Sequence, residues 1–168
     1  MNTALRAPDI FHIQAAQGWL ELGSAAEAKI ELEKVSAPFH GHAEVLKVQW
    51  GICAADKQWE AALEVASKLI EQESEDPLGW VHRSYSLHEL KRTQEAKDNL
   101  LRVVDKFPVS ATMRYNLACY ECQLGNLAEA RKWLEKSFRL GNRDQMKLAA
   151  LSDLDLKPLW QEIRSSPS

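Results

Sequence analysis

The chain has 168 residues, 45% of them hydrophobic and 27% charged, the composition of an ordinary soluble chain about one domain long. Lys and Arg number 21 against 24 Asp and Glu, so a net charge of -3 leaves no basic stripe for a phosphate backbone and excludes nucleic acid as the main partner. No run of about 18 apolar residues occurs, which excludes a membrane span; three cysteines at no framework spacing fit a reducing, cytoplasmic compartment.

Residues 1–8 are expected to form a loose lead-in, without the basic start and long apolar run of a secretory signal. A first helix begins near Pro8, since proline suits a first helical turn. It carries Ile10, Phe11, Ile13, Trp19 and Leu22 to a stop at Gly23, a residue tolerant of positive φ. Ser24-Ala25-Ala26-Glu27 has the form of a capping box for a second helix with Ala28, Leu32 and Val35, ended ahead of Pro38. This pair covers 9–41. The next, over 42–75, has Val45, Leu46, Trp50, Ile52 and Cys53 on one helix and Trp59, Ala62, Ala66 and Leu69 on the other. It runs out in Glu71, Glu73, Glu75 and Asp76, read as a solvated acidic end that frays because carboxylates sit poorly at a helix C-terminus.

Asp76-Pro77 caps a third pair over 76–109, with Trp80, Tyr85, Leu87 and Leu90, then Ala96, Leu100, Val103 and Val104. A fourth, over 110–142, carries Tyr115, Leu117 and Ala118, then Ala130, Trp133, Leu134 and Phe138, with Asn126 and Glu129 spaced as a cap. Residues 143–164 are too apolar for a solvated tail. They predict a closing segment of two short helices, near 143–150 and 158–164, joined by an extended turn, before a disordered 165–168.

Across the pairs, Ala28, Ala62, Ala96 and Ala130 recur every 34 residues. The columns Leu32, Ala66, Leu100, Leu134 and Val35, Leu69, Val103, Ser137 keep the same period. A fixed period of this length is the mark of a repeat architecture. On these residues the chain resembles the tetratricopeptide repeat family. The third repeat supplies the family's Trp80, Ala96, Leu100 and Pro108, the fourth Leu117, Ala118 and Ala130, and the first Ala16, Trp19 and Ala28. Trp50 stands where the family has a small residue and predicts a wider angle inside the second pair. The stretch from Met146 to Trp160 resembles closing segments of bacterial repeat proteins.

The resemblance implies an all-α solenoid, a superhelix of about four helix pairs with a C-terminal closing segment, whose first helices line a concave groove. It also implies a noncatalytic protein-protein interaction module, with a peptide or partner helix in that groove and no cofactor. The groove positions are Lys47, Val81, Tyr85, His88, Tyr115 and Cys119. Tyr85 and Tyr115 are the expected anchors, since tyrosine joins a large contact area to a polar tip; the plainer reading is that they fill space between adjacent helices. A carboxylate clamp is not expected, because Lys47 alone would supply the cation. Cys119-x-x-Cys122 is read as groove lining rather than a redox or metal pair, with no βαβ pattern and no second cysteine pair nearby. The alternative function is a self-associating subunit, a homodimer formed through an exposed end of the stack.

Overall fold

The computed structural model of the protein describes residues 5–166. Residues 1–4 of the expected lead-in and 167–168 of the expected tail lie outside them. Among the described residues all regular structure is helical. Two compact units divide the chain, Met1–Ser86 and Leu87–Ser168.

The first unit holds α1 (Ala7–Glu21), α2 (Ala25–Leu32), α3 (Ala43–Ala55), α4 (Trp59–Gln72) and most of α5 (Pro77–Glu89). Its core forms where the apolar stripes meet. Ile13 and Ala16 of α1 pack with Ala28 of α2 and with Val45, Val48 and Ile52 of α3, closed by Val35 and Phe39. Ala43 and Leu46 on another side of α3 pack with Val65 and Leu69 of α4. At the start of α5, Asp76 Oδ1 accepts from Leu78 N at 2.8 Å, the N-cap bond the Asp-Pro pair predicts.

The second unit holds α6 (Thr93–Leu101), α7 (Ala111–Gln123), α8 (Leu127–Leu140), α9 (Arg143–Ala150) and α10 (Trp160–Ser165). Met113, Leu117, Leu134, Phe138, Leu156 and Leu159 are buried in it. The link between α9 and α10 is a 3-10 segment over Leu154–Leu159 rather than an extended turn, begun by Asp153, whose Oδ1 accepts from Asp155 N. Arg131 clamps Glu162 with two hydrogen bonds of 2.6 and 2.7 Å, and Lys147 Nζ donates to Ser166 O, so residues 165 and 166 belong to the packed structure.

The period is carried by backbone as well as side chains. All four ladder alanines are fully buried, at 0% exposure. Gly23, Lys57, Lys91 and Gly125, again 34 apart, are the residues with positive φ, at 79°, 56°, 63° and 82°. Each stands between the helices of a pair. The next residue's N–H reaches back five residues in every case, as from Ser24 to Trp19 O and from Asn126 to Glu121 O, both 2.8 Å, a Schellman closure. This turn explains why two expected caps do not form. Ser24 and Asn126 sit at N-cap positions but make no side-chain cap bond. Their geometry is set by closing the preceding helix, and the Asn126 amide donates to Glu121 instead. The third column slips at Val103, which is half-buried while Val104 is buried, because α6 ends at Leu101. The carbonyls beyond it find a donor in Arg114, whose guanidinium is buried against Val104 O, Phe107 O and Ser110 O.

Candidate interaction surface

In the first unit, α3 and α5 bring Lys47, Trp50, His82 and Tyr85 together. The Trp50 indole lies flat on the His82 imidazole, with ring centroids 3.6 Å apart and planes 7° from parallel. Trp50 Nε1 donates to Ser86 Oγ at 3.0 Å, and Ser86 Oγ donates to His82 O at 2.9 Å. Tyr85 stands edge-on to Trp50 at 6.2 Å and to Trp59 at 5.7 Å, the T-shaped geometry aromatic quadrupoles favour. Trp50 thus occupies its small-residue position by reaching α5, where Ser86 leaves room. Tyr85 is 39% exposed, the most open ring of the cluster, and Val81 is half-buried on the same helix.

The charges here differ from the sequence expectation. Lys47 Nζ lies 2.7 Å from Glu44, 3.0 Å from Glu73 and 3.8 Å from Asp76. Burial pulls its pKa down, but the hydrogen bonds of Glu44 and Glu73 outweigh that and hold it above the usual lysine value. Glu73 and Asp76 are therefore partners of a half-buried lysine rather than part of a solvated run; Glu71 and Glu75 remain exposed. Burial drives the His82 pKa down to about 4, with Lys47 adding to the fall and Asp76 opposing it.

In the second unit, His88, Tyr115 and Cys119 converge on the chain's own closing segment. Tyr115 Oη donates to Asp153 Oδ2 at 2.9 Å, and the Cys119 thiol lies 3.6 Å from the same oxygen. His88 Nε2 is 2.9 Å from Asp155 Oδ2 and its Nδ1 is 3.0 Å from Thr93 Oγ1. Gln123 Nε2 donates to Asp155 O. Burial, reinforced by Asp153 and Asp155, pushes the Cys119 thiol well above its usual pKa, and burial raises Cys122 too. That is the opposite of an activated thiolate. Burial likewise raises the Tyr115 phenol.

Sequence reasoning missed Trp50, His82, Asp153 and Asp155 as parts of these sites. The signal for the first was present: a tryptophan at a small-residue position needs a cleared space, and Ser86 lies on the first helix of the next repeat. Trp19, which the first repeat shares with the family pattern, is 39% exposed on α1. No helix among the described residues is long and apolar enough to cross a membrane.

No protein-family model matches the sequence, and no curated protein matches it. Solved structures do. The chain is similar to Pseudomonas aeruginosa PilF, with TM-score 0.75 and 25% identity over 94% of this chain and 69% of that one. It is similar to MamA MSR-1 C2, with TM-score 0.63 and 18% identity over 79% of this chain and 76% of that one, a likeness of fold alone. Both carry tetratricopeptide-type folds, a class of protein-interaction modules. With the buried alanine ladder and the recurring turn, these likenesses make the chain an all-α tetratricopeptide-type repeat protein.

Proposed function

We propose that the protein is a noncatalytic interaction module that holds a peptide segment or partner helix against the aromatic face built on α3 and α5. The observation that carries this reading is Tyr85, 39% exposed and edge-on to Trp50 and Trp59. A ring locked by its neighbours loses little freedom on binding and offers a large apolar area, the profile of an interface anchor. Val81 precedes Tyr85 by one turn on α5, and Lys47 precedes Trp50 by one turn on α3. Three carboxylates around one lysine make the local charge negative, so the fitting ligand pairs an aliphatic or aromatic side chain with a basic one placed over the Tyr85 ring. His88, Tyr115 and Cys119 belong to the same proposed set only where a ligand displaces the closing segment they already hold. Buried, unpaired thiols suit a reducing compartment and support a cytoplasmic location.

Selection from a displayed random-peptide library, with the full chain as bait, tests the reading. Peptides joining an aromatic to a basic residue should emerge, and Tyr85→Ala should weaken them by about 30-fold, the scale of an interface hot spot. Equal binding to wild type and Tyr85→Ala would refute it. A second reading, a self-associating homodimer, is favoured by one observation: Phe11 and Leu22 stand 68% and 76% exposed on α1.

A further inference from the structure

The first helix has a buried side and, opposite it, an exposed apolar one. Asp9, Ile13 and Ala16 are buried against the unit, while Phe11, Ala15, Gly18 and Leu22 follow one another at i, i+4, i+7 and i+11 on the opposite face. No charged residue interrupts that stripe, and Trp19, 39% exposed, flanks it.

Gly18 gives the stripe its meaning. Glycine inside a helix weakens it and persists where close packing needs it. Nothing among the described residues does: a Cβ built on Gly18 meets no atom within 4 Å, and its φ is not positive. The order of sizes along the stripe is large, small, small, large. Its midpoint between Ala15 and Gly18 is also the midpoint between Phe11 and Leu22. A two-fold axis there sets Phe11 against the partner's Leu22 and Ala15 against the partner's Gly18, so the helices approach at the small residues and the large ones close over both ends. Gln14 and Glu21 lie along one flank, where the axis sets amide beside carboxylate rather than like charges beside each other.

We infer that two copies of this chain pair antiparallel through the outer faces of α1. The inference rests on the self-association reading and uses none of the α3–α5 aromatic cluster. The exposed side chains present on the order of 400 Å² per copy, the size of patch that marks interaction sites. Doubled, that is on the order of 800 Å², and the flanking polar side chains are called on for the rest of the roughly 1,200 Å² at which specific interfaces begin.

Sedimentation velocity on the full chain, from low to high micromolar, tests this. Wild type should rise toward twice the mass of one chain. Gly18→Leu, whose Cβ meets no atom within 4 Å in the monomer, and Phe11→Glu should each move the midpoint to at least about tenfold higher concentration with helicity unchanged by circular dichroism. Leu154→Glu, at a 73% exposed site of the second unit, should leave it in place. Oxidising a mixture of Ala15→Cys and Gly18→Cys chains should cross-link unlike copies in preference to like ones. A wild type that stays at single-chain mass would overturn both the pairing and the self-association reading. A dimer indifferent to Gly18→Leu and Phe11→Glu, or one lost with Leu154→Glu, would overturn the α1 pairing alone.

Discussion

The stacked pair of Trp50 and His82 makes the stability of the protein depend on pH in a calculable way. In the unfolded chain His82 titrates near 6.5; in the folded protein burial holds it near 4. Between those values the unfolded state binds the extra proton, so folding loses stability as pH falls. The contribution is complete above about pH 6.5 and erodes toward pH 4. A shift of this size caps the loss at about 3 kcal/mol, and near pH 5 it amounts to about 2 kcal/mol relative to neutral pH. His82→Phe keeps a flat ring on Trp50 and cannot take a proton. Urea unfolding of both proteins at about pH 7 and about pH 5 isolates the effect, because carboxylates such as Asp9, Glu31 and Glu135, whose pKa values are held low by hydrogen bonds, titrate alike in each. Wild type should lose about 2 kcal/mol more than the variant on acidification. Parallel losses would show that the His82 ring reaches water and that the buried stack is wrong.

Two further outcomes follow from the turns and the closing segment. Lys57 and Lys91 hold a left-handed backbone where the first and fourth pairs use glycine; Lys91→Gly should relieve that strain and raise stability by about 0.5–1 kcal/mol, read as a higher urea midpoint at unchanged slope. Leu156 is 0% exposed in the 3-10 segment, so Leu156→Ala should cost about 2–5 kcal/mol; a cost near that of a surface substitution would mean the segment merely lies on the unit.

The repeat was legible because its rungs are side chains that must be small. Alanine at 28, 62, 96 and 130 marks the places where helices meet most closely, and any larger residue there would overpack them. The backbone half of the period was only partly legible. Gly23 and Gly125 announce a left-handed residue, whereas Lys57 and Lys91 adopt it under the pull of the same pair of hydrogen bonds, which no propensity for lysine reveals. The caps misled for a related reason: Ser24-Ala25-Ala26-Glu27 has the right letters, but a turn this short uses its residues to close one helix as it opens the next. For the surface, the frame nominates Lys47, Val81, Tyr85, His88, Tyr115 and Cys119 as groove positions. What touches Cys119 and His88 is a matter of distant sequence, 34 residues from Cys119 to Asp153 and 67 from His88 to Asp155, and local pattern carries no trace of it.

The grip of Tyr115, Cys119, Gln123 and His88 on Asp153 and Asp155 makes the closing segment a resident ligand. Because it is tethered, it competes at an effective concentration in the millimolar range, however dilute the protein. A free peptide offering only the same contacts at micromolar concentration would leave it seated. If the proposed function extends to the second unit, a ligand there would have to bring contacts the segment lacks, or arrive at comparable local concentration on a partner already docked elsewhere on the chain.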